Sequence, residues 1–104
     1  MSEIVRWKDG MACFAVVKLN DNSPIYISVA HNGVIVKRSN LGMFGKTLFK
    51  GDPIAVAIKA EGLLALGHDK SELPHGMTNP VLMEFVAAVF ASDNIEQLES
   101  LMRL

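Results

Sequence analysis

A single cysteine, Cys13, leaves the chain unable to close an internal disulfide. Long hydrophobic runs are missing too. The longest, MACFAVV (11–17) and FVAAVFA (85–91), fall far short of the roughly 20 apolar residues that a membrane-spanning helix needs. The first ten residues, MSEIVRWKDG, lack the basic stretch leading into an apolar core that marks a secretory signal. Aromatic residues are scarce at 7%, with one tryptophan and one tyrosine. Trp7 and Tyr26 also fall on opposite faces of the strands proposed below, which argues against a base-stacking sheet. Neither sign of charge prevails, the formal net charge being −1, so bulk charge selects no partner. These absences point to a cytoplasmic chain outside the membrane.

What is present is apolar. Half of the 104 residues are hydrophobic; with glycine counted and tyrosine left out the share is about 57%, against a usual 45–50%. One domain, residues 1–104, has little interior for that much apolar surface, so part of it is expected to meet another chain. A two-fold homodimer is the expected form, built on a sheet face near Cys13, Ala15, Val17 and Tyr26 or on the segment from Phe85 to Phe90. Charge is unevenly spread. Residues 1–50 hold seven Lys/Arg and three Asp/Glu, residues 51–104 three and eight, and no carboxylate occurs from Asn22 to Gly51.

The expected fold is α+β: a four-stranded antiparallel meander over residues 3–39, followed by two or three helices packed on one face. The strands are 3–8, 11–19, 24–31 and 34–39. Asp9-Gly10 and Asn32-Gly33 are dipeptides favoured by type I′ hairpin turns, and residues 20–23 make a longer turn. These turns pair Trp7 with Ala12, Phe14 with Val29, and Val29 with Val36. They collect Val5, Trp7, Phe14, Val16, Ile25, Ile27, Val29, Val34 and Val36 on one face, and a one-residue slip at any turn scatters that set. The opposite face holds Ile4, Arg6, Lys8, Cys13, Ala15, Val17, Tyr26, Ser28, Ile35 and Lys37, among others.

The second half reads as helical. Asp52-Pro53 is a cap followed by a first-turn proline, although alternation at Ile54, Val56 and Ile58 leaves strand as the alternative for 53–66. Asn79-Pro80 repeats the signature before a stripe of Val81, Leu82, Phe85, Val86, Val89 and Phe90. Asp93 and Glu96 are spaced like a capping box ahead of a last helix carrying Ile95, Leu98, Leu101 and Met102.

Chemistry-bearing motifs are few. Gly45-Lys46-Thr47 matches the end of a nucleotide-binding P-loop, but Asn40 stands where the first glycine belongs, and Gly51 and Pro53 leave no room for the helix that cradles phosphate. Gly42-Met43-Phe44-Gly45 has the glycine spacing of a KH-domain loop without its polar interior. His68, Asp69, Glu72 and His75 follow no metal-site spacing. Cys13 has no base on its own face and reads as a small buried hydrophobe. The segment 37–50 is more suggestive. Its glycines can expose backbone N–H groups, and Lys37, Arg38, Asn40, Lys46, Thr47 and Lys50 form a candidate anion site. The sequence therefore points to a small cytoplasmic non-catalytic interaction module that self-associates as a homodimer and has an unknown protein partner. Its alternative is a phosphate or nucleic-acid binder that uses the basic Gly-rich loop 37–50. No cofactor and no metal are expected.

Overall fold

The computed structural model describes residues 2–38, 46–52, 54–55, 58–59, 61, 73 and 76–103. Among the described residues, five strands, β1 (Glu3–Lys8), β2 (Cys13–Lys18), β3 (Pro24–Ala30), β4 (Gly33–Arg38) and β5 (Lys46–Gly51), precede two helices described over their whole length, α1 (Pro80–Phe90) and α2 (Ile95–Arg103). The strands form one antiparallel sheet in chain order. The fold is thus the expected α+β meander, enlarged by a strand. Residues 46–51, read from the sequence as part of a loop, pair with β4: Val36 stands opposite Phe49 and Lys37 opposite Thr47. Lys46 and Thr47 therefore open a strand and not the helix that a P-loop requires.

The hairpin registers differ from the expected ones, and local chemistry explains each difference. Type I′ turns need positive φ at both central residues. Among the described residues Asn22 is the only one other than glycine that takes it, at 68°. Asp9 does not, so the first connection is longer: Lys8 pairs with Phe14 and Trp7 with Ala15. At the second turn Leu19 N–H donates to Ser23 O at 3.0 Å and Asn22 N–H to Leu19 O at 3.0 Å. Asn22 in the left-handed region closes this three-residue loop, where a four-residue turn was expected. That difference of one moves β2 to the other face: Cys13 meets Val29, Ala15 meets Ile27, and Val17 meets Ile25. At the third turn Ala30 pairs with Gly33 and Val29 with Val34. Two residues separate this register from the expected one, which leaves the faces unchanged. In β1 the register shifts between Ile4 and Arg6, so Ile4 and Trp7 lie on the core side and Val5, in the bulge, is 60% exposed.

The core holds Cys13, Ala15, Val17, Ile25, Ile27, Val34 and Val36, each at most 2% exposed, against Leu82, Phe85, Val86 and Val89 of α1. Phe14 and Val16, expected inside, are only half-buried on the other face. The homodimer surface drawn through Cys13, Ala15 and Val17 is thus covered by α1, which packs across β2 and β3; Phe85 is fully buried as well.

Helix α1 starts as its sequence requires: Asn79 Oδ1 accepts from Leu82 N–H at 3.0 Å, and Pro80 opens the first turn. For α2 the cap is Asn94 rather than Asp93, with Oδ1 accepting from Gln97 N–H at 2.9 Å. Within 53–66 the described residues Ile54, Ala55, Ile58, Lys59 and Glu61 are helical. Asp52 Oδ1 caps them through Ile54 N–H at 3.1 Å and Ala55 N–H at 3.0 Å.

Candidate functional site

The helices cover one face of the sheet. The pairings define the side chains of the other. Directly opposed residues share a face, so one row runs Lys8, Phe14, Ser28, Ile35, Lys50 across all five strands. A second runs Arg6, Val16, Tyr26, Lys37, Thr47, and a shorter third runs Glu3, Lys18, Pro24. At the usual strand spacing the full rows are about 19 Å long and lie about 7 Å apart.

The centre of this open face is apolar and aromatic, and its rim is cationic. Phe14 and Tyr26, diagonal neighbours, stack with ring centroids 5.8 Å apart and an interplanar angle of 23°. Both are half-buried, so each ring keeps a surface turned to solvent. Arg6, Lys8, Lys18, Lys37 and Lys50 surround them, with Glu3 as the one acid in the three rows. Two shallow hollows lie at opposite ends. One, of about 520 Å³, is lined by Val5, Val16, Lys18, Asn22 and Pro24. The other, of about 450 Å³, is bordered by Ser28, Ile35, Lys50 and Asp52 among others. Asp52 is turned toward the Ile54 and Ala55 N–H groups, so its charge is partly occupied in capping.

The residues nominated from the sequence are divided by strand alternation. Lys37, Thr47 and Lys50 belong to the open face. Arg38 and Lys46, paired with each other, lie on the helix side, where Glu99 Oε1 stands 3.9 Å from Arg38 Nη1 and 3.6 Å from Lys46 Nζ. Arg103 Nη2 approaches Glu99 Oε2 at 4.0 Å. Asn40 lies outside the described residues, as do His68, Asp69, Glu72 and His75. Among the described residues no three His, Cys, Asp or Glu side chains gather to hold a metal ion, and no helix is long and apolar enough to cross a membrane. The sequence reading missed Arg6, Lys8 and Lys18 as site residues, together with the Phe14 partner of Tyr26. The signal was present: a basic residue ends each of β1 and β2, but the parity of the second turn had to be known to place Phe14 with them.

A second cluster joins the first hairpin to the residues just before α1. The Asp9 carboxylate accepts from the Cys13 thiol at 2.9 Å, from the Thr78 hydroxyl, and from the N–H groups of Thr78 at 2.7 Å and Asn79 at 3.0 Å. Those bonds, the thiol's first and then those of Thr78 and Asn79, hold Asp9 well below the usual carboxylate range. Asn79 Nδ2 approaches Cys13 Sγ at 3.5 Å. With Cys13 only 2% exposed, a substrate has no path to the thiol. The arrangement is a latch between the first hairpin and the start of α1.

No known family matches the chain, and neither does any curated protein or solved structure.

Proposed function

We propose that this protein is a non-catalytic cytoplasmic binding module that holds an anionic partner on the open face of its sheet. One observation carries the reading: Arg6, Lys8, Lys18, Lys37 and Lys50 converge on a single face around apolar side chains, while the chain as a whole has a net charge of −1. Such segregation leaves a locally positive field that attracts anions even though bulk charge does not. The alternative from the sequence, anion binding by segment 37–50, thereby moves from a loop to a sheet surface and keeps Lys37, Thr47 and Lys50. Cytoplasmic location is supported by a lone cysteine with no disulfide partner.

The test is retention on immobilised heparin at low salt, comparing the native chain with Lys18→Glu/Lys37→Glu. A weakly acidic protein without a localised patch passes through. The native chain is expected to be retained and to elute with added salt, and the variant to flow through. Native protein in the flow-through, or equal retention of both, overturns the reading.

Self-association is a second reading, favoured by Ile54 and Ile58. These residues are 76% and 67% exposed and one helical turn apart, and thus lie on the same side of a helix. It does not use the open face, because two copies meeting there would set cations against cations.

A further inference from the structure

We infer that the anionic partner is single-stranded nucleic acid, laid across the open face with its bases on Phe14 and Tyr26 and its phosphates against the surrounding cations. This rests on the binding-module reading and goes beyond it by naming the ligand. The argument is one of complementarity. A polyanion recognised by charge alone needs the lysines and arginine but has no use for a stacked aromatic pair at their centre. An acidic peptide offers no planar groups to place there. A second copy is repelled, as its own cations would face the same set.

Duplex nucleic acid keeps its bases stacked inside, out of reach of rings on a flat sheet; reading a duplex takes a helix or two-stranded ribbon in a groove. An unpaired strand has both required features. Its bases present π-faces that stack on aromatic side chains irrespective of sequence, and its backbone is tracked by a positive groove. Two rings on one sheet suit two or three bases, the number that other sheet-based readers stack. The two hollows mark the path, in either strand direction. It runs between Val16, Lys18 and Pro24 at one end and Ser28, Ile35 and Lys50 at the other, over Tyr26 and Phe14. Ser28, next to Phe14 in its row, brings a hydroxyl that both donates and accepts to whichever base edge lies above it, which favours little sequence preference.

The experiment is a fluorescence-anisotropy titration with a labelled ten-nucleotide mixed-sequence single strand at several salt concentrations. The same strand as a duplex and heparin serve as competitors. Three proteins are compared: the native chain, Phe14→Ala/Tyr26→Ala, and Phe14→Leu/Tyr26→Leu, the last retaining apolar bulk so that folding is preserved. Losing one stacked base costs roughly 5- to 150-fold in affinity, so both ring-less variants are expected to bind the single strand at least 20-fold more weakly. Their salt dependence should stay that of the native chain. With all five cations engaged, the slope of log K against log salt approaches about −3.5, at about −0.7 per phosphate on a single strand. The duplex is expected to compete poorly.

Two results overturn the inference while leaving the module reading intact: heparin and the single strand binding equally well with and without the rings, or the duplex binding more tightly than the single strand. Failure of every polyanion to bind the native chain overturns both.

Discussion

Val16 and Val17 are adjacent, identical in chemistry and on the same strand, and the register of β2 decides which of them the fold depends on. Val17 is fully buried, opposite Ile25 and beneath α1; Val16 is half-buried on the open face opposite Tyr26. Val17→Ala removes two methyl groups from a closed interior, a transfer loss of about 0.8 kcal/mol each. The cavity left behind raises the total to roughly 2–3 kcal/mol. In a domain of this size that lowers Tm by roughly 10 °C or more. Val16→Ala removes the same atoms from a surface that water already reaches, and is expected to cost well under about 1 kcal/mol. Urea unfolding followed by far-UV circular dichroism measures both. The two variants should share one m value and differ in midpoint. Equal losses, or a larger loss at Val16, would mean that β2 is displaced by one residue, with Phe14 and Val16 in the core and no aromatic pair on the open face.

Two further outcomes are expected. The Asp9 carboxylate, hydrogen-bonded by Cys13, Thr78 and Asn79, titrates below its unfolded value in the folded chain. Its contribution to stability is therefore complete above the unfolded pKa of about 3.9 and is lost as pH falls through the folded value. Urea midpoints of the native chain and Asp9→Asn should differ by a constant amount at pH 7 and pH 5, and the gap should begin to narrow only below about pH 3.9, without closing at pH 3; a gap unchanged between pH 5 and pH 3 contradicts the latch. For self-association, Ile58→Glu should turn a dimer into a monomer in sedimentation equilibrium at tens of micromolar, and a native chain that is already monomeric there removes the idea.

Periodicity and caps made much of this fold legible. The stripe of α1 and its Asn79-Pro80 start could be read because proline and an Asx cap each have one narrow structural use. Ile25, Ile27, Val29, Val34 and Val36 were placed correctly although their turn was misread, since an error of two residues preserves the face. Phe14 and Val16 were misplaced because the error at Asn22 was of one residue, and in a strand such a slip inverts every side chain. Nothing in the sequence announced that Asn22, rather than a glycine, would take the left-handed conformation. Strand β5 was hidden for a different reason: Gly45 and Gly51 bracket it, Lys46 and Lys50 sit near its ends, and the short apolar stretch between them resembles a loop. The candidate site inherits these limits. Its cations were visible one by one, but their convergence depends on registers that turn geometry, not composition, determines.

Strand order and chain order coincide, which matters at the ribosome. Every strand pairs with the one before it, so the hairpins close by local contacts and the five-stranded sheet is complete once Gly51 has emerged. Helix α1, which packs across β2 and β3 over Ala15, Val17 and Ile27, begins only at Pro80. Until it is made the core is incomplete, because Leu82, Phe85, Val86 and Val89 are missing from it, and exposed apolar surface is the condition under which partly made chains adhere to one another. The cations on its other face give neighbouring nascent chains a reason to keep apart. The partners of Asp9 at Thr78 and Asn79 arrive just as α1 starts, so a carboxylate already held in the first hairpin becomes the dock at which the covering helix is received.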